Sequence, residues 1–316
     1  MYQAGPERAE SREIAVEPHP VGRWATHAAL LVVQLAFGSQ AVEGKLAMMP
    51  RALGGGGLAP EAIAMARMIG AAVFFQALGL VIPDAPARAG ARLGLRDHGW
   101  LIVLALLGIA INQTLFLMGL RQTTALSASL LAVAIPVFTA LLAVAFRQER
   151  ATARLWIGFA LALAGALRLT GVRDIDRGAA LVLVNSISYS LYLVLGRGVI
   201  QRLGAFVVMR WIFTWGAIVF LPVGLGSLVH DLGDLTPRAT ALLTYIIVVP
   251  TIVAYLANAW ALGRSTATLV TIYIYMQPLI AASLAYVQLG QPVSPHAAVA
   301  GVLILLGVTL VATRRT

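Results

Sequence analysis

The residues best suited to bind a ligand are amides and aromatic hydroxyls that recur at helical spacing within apolar segments. Asn185, Ser188, Tyr189 and Tyr192 follow one another at i, i+3, i+4 and i+7, which places them on one face of a helix. Their side chains donate and accept hydrogen bonds, and the tyrosines add flat apolar surface. This face predicts reversible recognition of a small molecule, and no catalytic residue is assigned.

A second candidate group lies in TIYIYMQPLIAASLAY, residues 271–286. At 100° per residue, Tyr275 and Gln277 lie on opposite sides of the helical stripe that contains Pro278. A tyrosine this deep in an apolar segment does not fit an interfacial belt, so both residues are predicted to contact the ligand. Other polar residues predicted to line the same cavity, each of which could instead form an interhelical hydrogen bond, are Gln34, Asn112, Tyr255 and Asn258.

These residues sit in a chain with the composition of an integral membrane protein. Of its 316 residues, 59% are apolar and 11% are charged, against about 25% charged in soluble domains, and the mean hydropathy is +0.85. A hydrocarbon core about 30 Å thick needs roughly 17–25 apolar residues per helix. Windows of that length predict ten transmembrane helices, at 24–44, 60–83, 99–119, 125–146, 153–170, 178–198, 204–224, 239–260, 267–289 and 296–313.

The basic residues predict the orientation of these spans. With the N-terminus inside, the inner segments hold about twice as many Arg and Lys residues as the outer segments. Both termini are therefore predicted to be cytoplasmic, with residues 1–22 forming a polar cytoplasmic tail. The expected location is a bacterial inner membrane, crossed several times.

The residue inventory excludes several classes of site. The chain has no cysteine, and its five histidines are dispersed without metal-binding spacing. The net charge of +10 comes from basic residues scattered between apolar segments, so no nucleic-acid partner is expected. The expected partners are a small-molecule substrate and the lipid bilayer, with the chain a monomer or homodimer. No metal or cofactor is predicted.

The chain also contains an internal repeat. A shift of 142 residues aligns TALSASLLAVAIPVFTALLA (124–143) with TATLVTIYIYMQPLIAASLA (266–285) and so places Pro136 on Pro278. Because proline removes a helical hydrogen bond, these two residues and Pro250 are predicted hinges.

The beginnings of the two copies correspond as well. EGK (43–45) resembles LGR (195–197), and the span that follows each contains one arginine. Because each copy has five helices, the second must enter the membrane from the opposite side. The predicted fold is all-α, with two inverted five-helix repeats over residues 23–171 and 172–316 and a substrate site between them.

At this point the chain resembles a known family. The segment FRQERATARLWIGFALALAG (146–165) reads as an acidic turn, a helix and a glycine. With the polar tail, the ten spans and the duplicated small-residue helix, it resembles the drug/metabolite transporter superfamily, EamA type. The second copy departs at Gln291, where the first has Glu149, which favours a structural role for this turn. The resemblance implies export of small metabolites, with amino acids, including aromatic and neutral ones, as the leading candidates.

Two other functions remain open on sequence alone. The family resemblance also includes exporters of drugs and other hydrophobic metabolites. A membrane enzyme acting on lipid-linked substrates belongs to another class and would need a cluster of acids or histidines at one membrane face. None of the loops supplies such a cluster, so the chain is predicted not to be an enzyme.

Charged residues within predicted spans are few and therefore informative. Glu43 is either a proton-coupling carboxylate or a residue near the membrane surface that pairs with Lys45 or an arginine. Arg67 and Arg210 occupy equivalent positions of the two copies. Both are predicted to have structural roles in preference to carboxylate binding, so the cavity is expected to lack a dominating charge and to suit neutral or zwitterionic substrates.

Overall fold

The computed structural model describes residues 20–81, 93–123, 125, 128, 131–170, 177–289 and 297–312, and the regular structure in these ranges is helical. Residues 1–19 of the predicted tail lie outside the described ranges, and residues 20–22 form the first turn of α1. The helices are α1 Pro20–Met48, α2 Pro60–Val81, α3 Leu95–Ala105, α4 Ile111–Gln122, α5 Ala134–Ala145, α6 Ala153–Thr170, α7 Arg177–Leu203, α8 Ala205–Leu232, α9 Pro237–Ile247, α10 Ala254–Arg264, α11 Ala267–Ile272, α12 Gln277–Leu289 and α13 Ala297–Ala312.

The helices have the length and apolar character of membrane spans. Within the described ranges, seven helical stretches are long and apolar enough to cross a bilayer, and Ala134–Ala145 is a shorter apolar helix. Many large apolar side chains on their outer surfaces are exposed, as expected for a protein surrounded by lipid. The protein is therefore a multi-pass membrane protein.

Two of these stretches contain a π-helical turn. Helix α3 continues through the π turn Leu106–Ala110 into α4, and α9 continues through the π turn Val248–Val253 into α10. The second turn contains Pro250, which has no N–H for the carbonyl of Ile246 four residues earlier. The hydroxyl of Thr251 donates to that carbonyl instead, at 2.7 Å.

The other two predicted hinge prolines also lie beside irregular backbone. Pro278 is the second residue of α12 and follows the 3₁₀ turn Tyr273–Met276, which connects α11 to α12. Pro136 is the third residue of α5 and follows a turn at residues 132–133. Pro250 and Pro278 thus lie near the middle of their helical stretches, and Pro136 lies in the first turn of α5. Their action as hinges stays a prediction.

The core lies between the first half of the chain, residues 20–170, and the second half, residues 177–312. The most extensive helix contacts cross between these halves and join α6 to α13, α2 to α8 and α4 to α7. Small residues permit close approach of such helices, since lipid supplies no hydrophobic driving force for their association.

Two cations cap helix ends within their own halves. Lys45 Nζ donates to three carbonyl oxygens at the end of α4, including that of Thr123 at 2.7 Å. Arg197 Nε donates to the carbonyl oxygen of Ser265 at the end of α10, at 2.8 Å. Both contacts place a positive charge where carbonyl groups have no helical donor.

The close contact between α4 and α7 predicts a specific sensitivity at Gly119. A Cβ there would lie 2.8 Å from the carbonyl oxygen of Gly178 and 2.7 Å from a methyl of Val182. Gly119→Ala should therefore lower the free energy of unfolding by about 1–3 kcal/mol, measured as a lower thermal midpoint of the purified protein in detergent.

Gly226→Ala is the matched control, since a Cβ at this helical position would meet no atom within 4 Å. Its midpoint should be unchanged or slightly raised, because alanine favours helix over glycine. Equal midpoints for the two variants would contradict the packing described for α4 and α7.

Candidate functional site

A cavity opens between the two halves, near the middle of the helices that line it. It holds about 490 Å³ of space, its open side included. Both halves contribute to this central cavity, whose lining residues are Phe37, Gln40, Arg67, Asn112, Gln113, Phe116, Ala132, Ile135, Asn185, Tyr189, Tyr255, Ile274 and Gln277.

Two predicted asparagines meet in the cavity wall. Asn112 on α4 donates from Nδ2 to Oδ1 of Asn185 on α7, and its own Oδ1 accepts from the hydroxyl of Tyr255 on α10 at 3.1 Å. The Tyr255 hydroxyl also lies 3.3 Å from the carbonyl oxygen of Gly108, within the π turn between α3 and α4. Three predicted site residues from three helices thus form one hydrogen-bonded group.

The tyrosine face of α7 is only partly turned to the cavity. Tyr189 lines it and accepts a hydrogen bond at its hydroxyl from Asn258 Nδ2, at 3.1 Å. Tyr192 lies behind, with its ring stacked on that of Tyr189 at 5.5 Å between centroids. Asn258 and Tyr192 are buried and support Tyr189 without being part of the wall.

The two glutamines predicted on different spans form a pair. Gln277 lines the cavity and donates from Nε2 to Oε1 of Gln34, at 2.7 Å. Gln34 is buried behind it, so its part in the site is to hold Gln277 in place.

Tyr275, the partner of Gln277 in the sequence analysis, has a different environment. It is fully buried outside the cavity wall, and its ring lies 6.3 Å from that of Phe159 on α6. The 3₁₀ turn Tyr273–Met276 explains the difference, because a 3₁₀ helix advances about 120° per residue and not the 100° assumed for an α-helix. A substrate contact by Tyr275 stays a prediction.

Arg67, for which the sequence predicted a structural role, lies in the cavity wall, so the wall contains a charge where none was expected to dominate. The side chain is 1% exposed. Nε donates to Oγ1 of Thr251 at 2.7 Å, and Nη2 donates to Oε1 of Gln40 at 3.2 Å. An arginine deep in an apolar span costs about 2.5–3.5 kcal/mol on insertion scales, and that cost was the signal in the sequence that could have identified it.

Its counterpart Arg210 lies elsewhere. Arg210 Nε donates to Oε1 of Gln76 on α2 at 2.7 Å, and its guanidinium lies 5.9 Å from the ring centroid of Trp211. This position, half-buried and away from the cavity, fits the structural role predicted for both arginines. The two arginines therefore have different environments.

Glu43 also lies outside the cavity wall. Its Oε1 accepts from Gln288 Nε2 at 3.1 Å, and the neighbouring Lys45 caps α4 instead of pairing with it. The structure thus leaves the coupling role of Glu43 as a prediction. Within the described ranges, no group of three or more Asp, Glu or His residues could hold a metal ion.

Comparison with known proteins identifies the family. The sequence profile of the EamA-like transporter family matches residues 27–171 and again residues 176–313. A solved crystal structure shares the fold with a TM-score of 0.68 at 17% identity, covering 93% of this chain and 100% of its own. At that identity the likeness concerns the fold alone.

Curated relatives agree with the profile. A protein of Streptantibioticus cattleyicolor named "Probable terminal-alkyne amino-acid exporter" is 29% identical, over 70% of this chain and 75% of its own. An uncharacterized transporter of Archaeoglobus fulgidus is 26% identical over 68% and 76%, and the uncharacterized transporter YdfC of Bacillus subtilis is 27% identical over 62% and 65%. With its apolar helices and its central cavity, the chain belongs to the EamA-like transporter family and is a membrane transporter of the drug/metabolite class.

Proposed function

We propose that this transporter exports small metabolites, foremost amino acids including aromatic and neutral ones, by exposing the central cavity alternately to the two sides of a bacterial inner membrane. The observation that carries the proposal is the cavity itself, which both halves line with amides, hydroxyls and aromatic rings. The relative named as an amino-acid exporter supports amino acids as the substrates.

Alternating access follows from the proposed architecture of ten spans in two inverted repeats, residues 23–171 and 172–316. The family profile matches once in each of these regions. The π turns of the two halves, which begin at Leu106 and Val248, are 142 residues apart, the same shift that aligns Pro136 with Pro278. This correspondence extends the sequence repeat into local backbone geometry.

The helix contacts support the same pseudo-symmetry. Exchange of the two halves turns the contact of α4 with α7 into that of α10 with α1, and the contact of α5 with α7 into that of α12 with α1; all four contacts are present. A fold that maps onto itself in this way has two equivalent ends, and either end can open while the other is closed.

The proposed repeat also explains where the cavity lies. The 142-residue shift places Gln113 on Tyr255 and Ile135 on Gln277, and all four residues line the cavity. Equivalent positions thus meet at the centre with different side chains. A symmetric scaffold with an asymmetric lining is what a transporter of one substrate class requires, because the halves move alike while the ligand is not symmetric.

The lining combines polar groups with apolar surface, which supports amino acids as substrates. Eight of the thirteen lining residues have polar side chains, and the remaining five are Phe37, Phe116, Ala132, Ile135 and Ile274. A polar group left without a partner by a wholly apolar ligand is costly when buried. The apolar residues provide room for a side chain of moderate size.

The first test is transport by purified protein in proteoliposomes. Labelled amino acids should cross the membrane at rates well above those of empty liposomes, and unlabelled amino acids should compete. Absence of transport for every amino acid would contradict the proposed substrate class.

If Glu43 couples transport to protons, transport by the Glu43→Gln variant should no longer depend on a pH gradient, while the variant should still bind substrate.

A second test addresses alternating access through contacts between the halves. At the end predicted to be cytoplasmic, Arg202 pairs with Asp97 at 2.6 Å; at the other end, Arg51 lies 4.0 Å from Asp234. Cysteines introduced as Asp97→Cys with Arg202→Cys, or as Arg51→Cys with Asp234→Cys, are the only thiols in the chain. Joining either pair with a cleavable crosslinker should abolish transport, and cleavage should restore it.

The single-cysteine variants, treated with the same reagent, are the controls and should keep transporting. Transport at an unaltered rate through a fully crosslinked pair would contradict alternating access.

A third test separates structure from substrate contact at Gln277. Gln277→Leu should lower stability by about 1 kcal/mol, because Gln34 is then buried without its partner. Gln34→Leu with Gln277→Leu removes both polar groups and should restore the thermal midpoint. Transport should stay impaired in the double variant, as a higher KM. Recovery of transport together with stability would show that Gln277 does not contact substrate.

A further inference from the structure

We infer that Arg67 forms a carboxylate-binding subsite in the central cavity and that its partner is the carboxylate of the transported molecule. The inference rests on the proposed export function and narrows its substrate class. It states that the carboxylate is the group the site requires, whereas an amino group on the same molecule is optional.

The hydrogen bonding of the Arg67 guanidinium is incomplete. Nε and Nη2 donate to Thr251 and Gln40, while Nη1 is buried and has no hydrogen-bond partner among the described residues. An arginine presents its donors as a planar fork that matches a carboxylate. The two occupied nitrogens fix that fork and leave the third for a ligand.

The positive charge of Arg67 has no counter-ion among its hydrogen-bond partners. Both partners of Arg67 are neutral, and the ion pairs recorded in the described part of the chain, Arg51 with Asp234 and Arg202 with Asp97, lie at the molecule's ends. Arg67 alone is charged among the described residues that line the cavity. A buried charge without a counter-ion is unfavourable. A negatively charged ligand would therefore both compensate the charge of Arg67 and accept a hydrogen bond from its Nη1.

The local structure holds Arg67 in place. Because Pro250 has no N–H, the carbonyl oxygen of Ile246 accepts a hydrogen bond from the Thr251 hydroxyl, and the oxygen of that hydroxyl accepts one from Arg67. The π turn thus orients an acceptor toward the arginine. A side chain held by such contacts is preorganised for a ligand.

The amide of Gln113 lines the same cavity and lies beside the Tyr255 hydroxyl. Its Oε1 is buried without a hydrogen-bond partner among the described residues. Its amide nitrogen is a second donor for a carboxylate, and its oxygen is an acceptor for an ammonium group. The acceptors available to an ammonium group in the described wall are neutral, which is why the carboxylate dominates recognition.

The experiment measures ligand-induced thermal stabilisation in detergent. Phenylalanine, leucine and alanine are each compared with the corresponding amide, which lacks the carboxylate, and with the corresponding acid, which lacks the amino group; sodium chloride serves as the simple-anion arm. The amino acids and the acids should stabilise the wild-type protein, and the amides should bind at least about tenfold more weakly, as expected for loss of a charge-assisted hydrogen bond.

Arg67→Gln should remove the preference for carboxylates, and Arg67→Lys should retain part of it, since the charge remains while the fork is lost. Arg210→Gln is the matched control because Arg210 lies outside the cavity, and it should respond like the wild type. If Arg67→Gln does not fold, the Arg67→Lys variant and the ligand series on the wild-type protein still test whether Arg67 binds the carboxylate.

Three results would overturn the subsite. They are amides that bind as tightly as the acids, chloride that stabilises the protein as much as the acids do, or an Arg67→Gln variant that keeps the preference for carboxylates. Each leaves the proposed export function in place if proteoliposomes still transport amino acids. Conversely, wild-type protein that binds acids with the expected preference but transports none of them would contradict the export function and support the subsite.

Discussion

The hydrogen bond between Asn112 and Asn185 shows the constraint on which this structure depends. The hydrocarbon interior of a membrane offers no water, so a polar side chain halfway along a helix must find its partner within the protein. Here the partner is on the other half of the chain, and Tyr255 extends the same group to a third helix. The polar residues thereby connect the halves around a cavity.

Bonds of this kind are individually weak, which suits a protein that changes conformation. Interhelical hydrogen bonds in membranes average about 0.6 kcal/mol in double-mutant measurements, so several can exchange partners without threatening the fold. Packing of small residues, as where Gly119 of the first half meets Gly178 of the second, provides closer and more rigid contacts. Close backbone contacts can thus persist, while side-chain hydrogen bonds can be replaced by hydrogen bonds to a ligand.

The positions of the helices were largely predictable from sequence, because length and apolar composition determine which segments can span a bilayer. The predicted spans 153–170 and 60–83 contain the described helices α6, Ala153–Thr170, and α2, Pro60–Val81. Helix α1, Pro20–Met48, is longer than the predicted 24–44, because a helix can continue beyond the hydrocarbon into polar surroundings.

Helical spacing predicted the cavity wall only in part. Asn185 and Tyr189 line the cavity as their spacing indicated, since a uniform α-helix carries both on one face. Tyr275 lies within a 3₁₀ turn that a hydropathy pattern does not reveal, so the direction of its side chain could not be deduced. Arg67 was recognised as unusual but not as part of the wall, because which neighbours surround a helix is a property of tertiary packing.

The π turns determine where the residues that follow them point. A π turn holds one residue more than an α turn, so the helix beyond it is rotated by roughly 100° relative to an uninterrupted helix. Asn112 and Gln113 are the second and third residues after the first π turn, and Tyr255 is the second residue after the second π turn. The extra residue of each π turn thus rotates the following helix so that its polar side chains face the cavity. In an uninterrupted helix of the same composition, those side chains would be turned away from the centre.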